Sequence, residues 1–208
     1  MRTFAHRVLI VPALLLLLAA CSPQAVPDVT YFRLPAPATL PRADTPLTAL
    51  PIEVEVFKGE GIYAEQALIY STSPDAASLR TYHYHLWSEP PTRGLQSRLT
   101  ETLRASGIST LVSDRLPASE QALRIRGRIV RYERVERTEK TFEAQVAIEF
   151  RVEQDIGEPV IEQTYSAQAV ASDATIAATV RAFGSAVDEV FAKFYADLAK
   201  LGKETHAG

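Results

Sequence analysis

The chain has 208 residues, of which 47% are hydrophobic and 23% charged. This length and composition predict one domain of ordinary size with its own core. The net charge of -3 and the pI of about 5.9 exclude a strongly basic protein that binds nucleic acid through its phosphates. The one cysteine, Cys21, excludes an intrachain disulfide, so helix and sheet packing must stabilise the domain.

Residues 1–20 have the pattern of a secretory signal peptide. Arg2 and Arg7 precede an uncharged apolar run over 8–18, which is about half of the roughly 20 residues that a membrane-spanning helix needs. The sequence LAAC, which ends at Cys21, resembles the lipobox of bacterial lipoproteins, in which the thiol is acylated and becomes residue one. A plain signal peptide with a cysteine at its cleavage site is the alternative. We predict lipidation at Cys21, and cleavage before it would leave 20 basic and 25 acidic residues.

Residues 21–50 are predicted to form a tether between the lipid and the domain. Six of the 13 prolines lie in this segment among small and polar residues, a composition that favours extended backbone with few packing contacts. The aromatic and apolar run Tyr31–Leu34 interrupts it and predicts a short edge strand docked on the domain. The domain itself is predicted over residues 51–203.

Alternating apolar and polar residues predict the β-strands of this domain. The predicted strands are 52–56, 67–71, 79–86, 108–112, 123–135, 142–152 and 160–170, the last after a turn at Asp155 and Gly157. Several of these strands have one apolar and one polar face, which is typical of an antiparallel sheet with one wet side.

The strands 123–135 and 142–152 form the clearest predicted pair. A tight turn at Thr138-Glu139 would place Arg128 opposite Glu149 and Arg134 opposite Glu143. Opposite charges would then pair across the two strands while their apolar faces stay matched.

Two amphipathic helices are predicted. The first is capped by Ser88, carries prolines in its first turn, buries three leucines spaced four apart and ends at Gly107. The second is capped by Ser172 or Asp173, and its apolar residues recur at spacings of three and four as far as Leu201. The predicted fold class is therefore α+β, an antiparallel-rich mixed sheet with two main helices packed on one face.

The sequence offers few candidates for catalysis or metal binding. His83 and His85 would share one face of a strand, but a zinc site needs three or four ligands and no cysteine or other nearby histidine supplies them. Neither a glycine-rich phosphate loop nor a GxSxG nucleophile elbow is present. We therefore predict no catalytic residue, no metal site and no cofactor, and we interpret the two histidines as exposed or packed on tyrosine.

Arg124, Arg126 and Arg128 alternate along one predicted strand. Such a row could contact anionic lipid or cell wall. Glutamates alternate in the same way on the facing strand, which favours a solvated face of paired charges.

Four aromatic residues are candidates for a partner-binding surface. They are Trp87, Tyr84, Tyr82 and Tyr63, which lie near predicted strand ends and loops. Aromatic side chains in such places serve either as interface anchors or as core. The sequence leaves both interpretations open.

The order of these features resembles the ABC-type transport auxiliary lipoproteins, a family that includes paraquat-inducible protein C. The resemblance rests on Cys21 in its lipobox, on the strands at 31–34 and 52–56, and above all on YHLWSEPP at 84–91, which leads into the leucine-rich helix. It covers nearly all of the mature chain. The loop after residue 56 departs from it, because relatives often carry proline and aspartate there and this chain has KGEG.

The resemblance implies a non-catalytic subunit of a system that moves lipids or other hydrophobic molecules across the envelope. Its implied partners are an MCE-domain protein, whose far end it would dock, and an ABC permease with its ATPase. A homo-oligomer is compatible with such a role. Ser22 stands where inner-membrane lipoproteins of enterobacteria usually carry aspartate, which points to the outer membrane, with the domain facing the periplasm.

Two other functions stay open at this point. One is a periplasmic lipid-binding carrier in which helices and sheet enclose an apolar cavity. The other is an envelope hydrolase, which would need a nucleophile and a base close together. No spacing in the sequence selects such a pair.

Overall fold

The computed structural model describes residues 26–154 and 159–207. The predicted signal peptide over 1–20, Cys21 and the predicted turn at Asp155 and Gly157 lie outside the described residues. No helix within the described ranges is long and apolar enough to cross a membrane.

The described residues form one nine-stranded mixed sheet, curled into a half-barrel, and two long helices. The strands are β1 (Thr30–Phe32), β2 (Ile52–Val54), β3 (Lys58–Gly59), β4 (Ala67–Ser71), β5 (Arg80–Trp87), β6 (Val112–Ser113), β7 (Leu123–Thr138), β8 (Thr141–Glu153) and β9 (Ile161–Val170). The helices are α1 (Pro91–Ser106) and α2 (Ile176–Ala207), and a 3-10 helix, Gly61–Ala64, follows β3. The predicted α+β class, with an antiparallel-rich mixed sheet, is confirmed.

The central strand of the sheet is β7. It pairs along its length with antiparallel β8, and β8 pairs with antiparallel β9. On its other side β7 meets three short parallel strands in turn, namely β2, β3 and β4. β5 and β1 extend the sheet beyond β4, and β6 extends it beyond β2. The long alternating patterns of β7 and β8 thus build an antiparallel half, and the short strands build a mixed half.

The β7–β8 hairpin follows the predicted register in the half farther from its turn. Arg128 lies opposite Glu149 as predicted, and two of its nitrogens lie 3.0 and 2.7 Å from the two carboxylate oxygens. The turn itself falls at Glu139-Lys140, one residue later than the predicted Thr138-Glu139. Alternation fixes which face a residue occupies, but the exact turn depends on local irregularities that the pattern does not show.

Near the turn the predicted register is wrong. Arg134 lies opposite Ala144 and not opposite Glu143, because Val130 has no partner in β8 and bulges out of β7. The bulge puts Arg134 on the helix-covered face, where its guanidinium carbon lies 3.5 Å from the ring centre of Phe142. A single extra residue therefore turned a predicted surface ion pair into a buried arginine.

The opposite face of the sheet carries paired charges. Arg126 lies directly opposite Arg151, and Glu153 accepts from both arginines, at 2.7 and 2.6 Å. Arg124 and Arg128 also have glutamate partners. These contacts support the interpretation of the arginine row as a solvated face of ion pairs.

The hydrophobic core lies between the two helices and the sheet. Leu95, Leu99 and Leu103 of α1 are 1% exposed or less, so the predicted stripe is buried. α2 packs over β8 and β9, where the ring of Phe194 stacks on that of Phe150 with centroids 4.1 Å apart. Both predicted helices thus serve the same core.

The helix ends differ from the prediction at their beginnings. α1 starts after Pro90 without a side-chain cap, so the prediction of Ser88 as its cap is wrong. Its predicted end is confirmed, because Gly107 has the left-handed conformation, with φ of 67°. α2 is capped by Thr175, whose hydroxyl accepts from the Ala178 N–H at 3.1 Å. Ser172 and Asp173 lie in the turn before it.

Candidate functional site

Residues 30–50, which we call the strap, lie against the domain. β1 pairs in parallel with the end of β5 at the edge of the sheet, as predicted for this run. The Ser88 N–H donates to the Phe32 carbonyl at 2.7 Å. Leu34, Leu40 and Leu47 pack, partly buried, on the core. The described part of the predicted tether is therefore docked on the domain, because its apolar side chains gain more by burial than by extension into water.

A buried ion pair holds the middle of the strap. Arg98 of α1 is 6% exposed, and its Nη2 lies 2.7 Å from Oδ1 of Asp188 on α2. Arg98 also donates to the carbonyls of Pro35 and Ala36. Asp188 accepts from the Ala38 N–H at 3.0 Å. This clamp, formed by Arg98 and Asp188, joins the two helices and the strap through charge-assisted hydrogen bonds.

Three further contacts fix the strap on either side of the clamp. The Tyr195 hydroxyl donates to the Pro41 carbonyl at 3.1 Å, and the Ala43 N–H donates to the carbonyl at the end of α1 at 2.8 Å. Pro35 lies so close to Gly184 of α2 that an added Cβ would meet its ring at 3.0 Å. The strap is therefore held against both helices, α1 and α2.

A groove with a volume of about 400 Å³ separates the strap from α1. Its floor includes Trp87, Tyr132 and Leu95, which are all buried. On the α1 side it is bordered by Gly94, which has no side chain, and by Ser97, whose side chain is small, so the space stays open. An apolar floor within a concavity of this size is typical of a ligand site.

Trp87 belongs to the core and contributes to the groove as well. It is 5% exposed, and its ring packs against Tyr132 and Phe183 with centroids 5.3 Å away in each case. The same residue lines the groove from below. Its side chain is therefore accessible to a ligand in the groove and not to a flat partner surface.

The three predicted tyrosines do not form one cluster with Trp87. Tyr84 is 36% exposed. Tyr82 is partly buried, packs on Tyr70 at 4.3 Å and accepts from Arg134 at 3.0 Å. Tyr63 is partly buried on the 3-10 helix. None of the three lines the groove, so the structure separates these tyrosines from the groove whose floor contains Trp87.

The two histidines have different surroundings. His85 stacks on Phe32 and packs against the edge of Tyr82, at 5.8 and 5.2 Å, whereas His83 is exposed beside Tyr84. β5 is irregular here, because four of its residues lie opposite one residue of β4. Among the described residues, no group of three or more potential ligands is close enough to hold a metal ion.

A buried carboxylate lies on the sheet face away from the groove. Glu133 is 1% exposed; it accepts from the Tyr63 hydroxyl at 3.3 Å, and its other oxygen lies 2.9 Å from Arg131. Burial raises the pKa of Glu133 above its ordinary value. Burial and the charge of Glu133 raise the pKa of Tyr63 to about 12. These groups bind one another and serve the fold.

Sequence reasoning missed the residues that shape the groove. Arg98 and Asp188 are 90 positions apart, so nothing local marks them as a pair. Gly94 was a detectable signal, because a glycine inside a helix costs stability unless its lack of a side chain is used. The predicted site residue that the groove contains is Trp87.

Comparison with known proteins finds one matching family model and several solved structures of similar fold. The family model for the ABC-type transport auxiliary lipoprotein component matches residues 32–193. A solved protein of Xanthomonas campestris, assigned to the family model DUF330, is similar at 17% identity over 86% of this chain and 100% of that chain, with a TM-score of 0.73. A solved uncharacterised protein is 13% identical over 84% of this chain and 99% of that chain, with a TM-score of 0.61. No curated protein matches the chain.

At these identities the two structures show a shared fold. The family model supports a stronger statement than the two structures do, because its match runs from the end of β1 through the groove and the clamp into α2. It therefore includes residues 32–50 of the strap. The chain belongs to the family of ABC-type transport auxiliary lipoprotein components.

Proposed function

We propose that this chain is a non-catalytic, lipid-anchored subunit that docks an MCE-domain protein at the outer membrane. It would work with an ABC permease and its ATPase in moving lipids or other hydrophobic molecules across the envelope. The observation that carries this proposal is the family match over residues 32–193. The LAAC sequence that ends at Cys21 supports the anchor.

The docked strap sets how far the domain can stand from the membrane. Nine residue steps separate Cys21 from Thr30, where β1 begins, and a fully extended chain of this length reaches about 30 Å. An acylated Cys21 would thus hold the domain close to the bilayer. A second attachment, to a protein partner, then needs only modest affinity, because the anchor raises the local concentration.

We assign the direct partner contact to Tyr84. It is the most exposed of the four predicted aromatic residues, and it lies beside exposed His83 in the irregular part of β5. Tyr82 and Tyr63, which are partly buried, and Trp87, which is buried, are not assigned to this direct contact. Exposed tyrosine is a frequent anchor of protein interfaces.

Co-purification with an MCE-domain protein from the same envelope tests the docking. The full chain should retain that protein, and Tyr84→Ala should reduce the retained amount at least severalfold. Leu111→Ala is the matched control, because Leu111 is 44% exposed and lies next to β6, at the other end of the sheet. Absence of association with the unchanged chain would overturn the proposal. Trp87→Ala is a poor test, since it removes core packing.

A lipid-binding role has its own supporting observation, the groove between the strap and α1. The carrier alternative expected a cavity enclosed by helices and sheet. In the structure that interface is packed core, and the open space lies between α1 and the strap, with the core residues Leu95, Trp87 and Tyr132 as its floor. Binding of a lipid in this groove is compatible with the docking role. Among the described residues β9 pairs with β8 alone, and we propose its outer edge as the surface through which a homo-oligomer would form.

A further inference from the structure

The groove combines an aromatic floor with charged residues at its rim. Phe32, Trp87 and Tyr132 supply aromatic rings to the floor and walls. Arg33 on the strap, and Glu89 and Glu101 on the α1 side, are exposed and line the same groove. A site with this composition suits an amphiphile, whose apolar part and charged part need different surroundings.

The three rim charges lack partners within the described chain. No ion pair or side-chain hydrogen bond among the described residues involves Arg33, Glu89 or Glu101. The arginines of the sheet's charged face behave differently, because each one there pairs with a glutamate. Charges left free around an apolar groove are available to a ligand.

The spacing along α1 separates the two carboxylates. The Glu89 side chain lies over Gly94, where an added Cβ would be 3.5 Å from its Cγ. Glu101 is two turns further along the helix, which corresponds to about 10 Å. Arg33 belongs to the strap, on the opposite wall. The rim thus offers two free carboxylates on the α1 wall, which also holds the Arg98 guanidinium paired with Asp188, and the free guanidinium of Arg33 on the other wall.

We propose that this groove binds a phospholipid whose headgroup carries an ammonium group. One acyl chain would lie on the aromatic floor, Arg33 would bind the phosphate, and Glu89 or Glu101 would accept from the ammonium. The inference rests on the proposed function, in which the chain works at a lipid membrane. It adds a defined lipid site and a headgroup preference to that function.

The position of the groove favours a lipid over a peptide as its occupant. Phe32 lies eleven residue steps after Cys21, so an anchored chain holds the groove within about 40 Å of the bilayer. Val26, Val29 and Tyr31, which precede the groove, are 75%, 46% and 61% exposed. Apolar and aromatic side chains on a segment that leads to a lipid anchor are well suited to the membrane interface.

The fluorescence of Trp87 reports directly on a ligand in the groove, since Trp87 is the only tryptophan in the chain and lines the floor. The full chain would be kept in detergent micelles that contain a rising fraction of phosphatidylethanolamine with brominated acyl chains. Bromine quenches tryptophan fluorescence at contact. Brominated phosphatidylglycerol, which has a phosphate and no ammonium, is the comparison lipid.

We expect saturable quenching, with half-maximal quenching at about fivefold lower fractions of phosphatidylethanolamine than of phosphatidylglycerol, the size of one exposed charge contact. Glu89→Gln combined with Glu101→Gln should abolish this preference. Ser97→Phe should fill the groove and remove the quenching. Ser119→Phe is the control, because Ser119 is exposed in the loop before β7 and does not line the groove, and it should behave like the unchanged chain.

Three results would overturn the inference: absence of quenching by either lipid, equal quenching by both, or full quenching in Ser97→Phe. Circular dichroism of each variant separates a filled groove from a misfolded chain. The measurement involves no transporter protein. Absence of MCE association with intact quenching would therefore contradict the docking proposal alone. Intact MCE association without quenching would contradict the lipid site alone.

Discussion

The two helices cover the same sheet in contrasting ways. α2 fills the space above β8 and β9 with aromatic rings, among them Phe194 stacked on Phe150. α1 buries its leucines on one side, but on the other side it presents Gly94 and Ser97 to the strap and leaves a groove. Close packing thus stabilises one half of the molecule, and the other half keeps a space that a ligand can enter.

The contacts that hold each region differ in kind. The α2 side depends on apolar burial, which has no direction and follows from the helical stripe. The strap side depends on the clamp of Arg98 and Asp188, whose hydrogen bonds reach backbone carbonyls at Pro35 and Ala36. Polar contacts of this kind fix a geometry, and that geometry defines the groove wall.

Removing the stacked ring on the α2 side should have the largest effect. Phe194→Ala is expected to lower the free energy of unfolding by about 3–5 kcal/mol, because a large, fully buried side chain leaves a cavity. Urea unfolding followed by the fluorescence of Trp87 measures the loss. Phe194→Leu should cost clearly less. A loss below about 1 kcal/mol for the alanine variant would contradict the packing described for α2.

Breaking the clamp should cost less and act locally. Arg98→Met is expected to lower the free energy of unfolding by about 2–3 kcal/mol, below the range for a fully buried pair, because Asp188 is 20% exposed. The strap should also become susceptible to limited proteolysis. A stable variant whose strap resists protease would argue against the clamp.

The control for the clamp is an exposed ion pair of similar geometry. Arg128 and Glu149 are 42% and 31% exposed with a shortest distance of 2.7 Å. Arg128→Met should therefore change the free energy of unfolding by less than about 1 kcal/mol and leave the strap protected. Equal effects of Arg98→Met and Arg128→Met would remove the distinction between the two regions.

The same contrast explains how much the sequence could predict. Apolar periodicity revealed α1, α2 and the β7–β8 pair, since burial of a stripe or a face needs only the local pattern. Arg128 opposite Glu149 followed from that alternation. The predicted pairing of Arg134 with Glu143 is wrong because the bulge at Val130 shifts the register by one residue. No residue type at that position of β7 predicts a bulge.

The candidate site was harder to predict than the fold. The proline-rich composition of the strap favoured an extended tether, and tertiary contacts overrode it through leucines packed on the core. The clamp joins Arg98 with a residue on another helix, a contact that only the folded chain brings together. Trp87 could be singled out by its type. Its place beneath a groove could not, because the other wall of the groove is the strap.

Two carboxylates on the sheet should respond to pH in opposite directions. Burial raises the pKa of Glu133, so the folded state holds the carboxyl proton of Glu133 more tightly than the unfolded chain does. The contribution of Glu133 to stability therefore falls as the pH rises from the unfolded pKa through the folded pKa. The hydrogen bond from Arg128 lowers the pKa of Glu149, so its contribution is present at neutral pH and falls as pH drops through the folded pKa.

Glutamine variants at the two positions separate these effects. The free energy of unfolding of Glu133→Gln relative to the unchanged chain should rise between about pH 4 and pH 7. Glutamate side chains titrate in this interval or at its lower end. That of Glu149→Gln should fall over the same range. Parallel pH profiles for the two variants would show that burial does not govern Glu133.

The smallest expected effect distinguishes a glycine that keeps space open from one that packing requires. An added Cβ at Gly94 would meet Glu89 atoms at 3.5 Å or more, an ordinary contact, so Gly94→Ala should stabilise α1 by about 0.5–1 kcal/mol. At Gly184 the Cβ would meet Pro35 at 3.0 Å, so the gain in helix propensity should be offset by displacement of the strap. Thermal unfolding should therefore rank Gly94→Ala above the unchanged chain and Gly184→Ala at or below it. If both variants gained equally, the strap would not be pressed against α2, and one wall of the groove would be free to move.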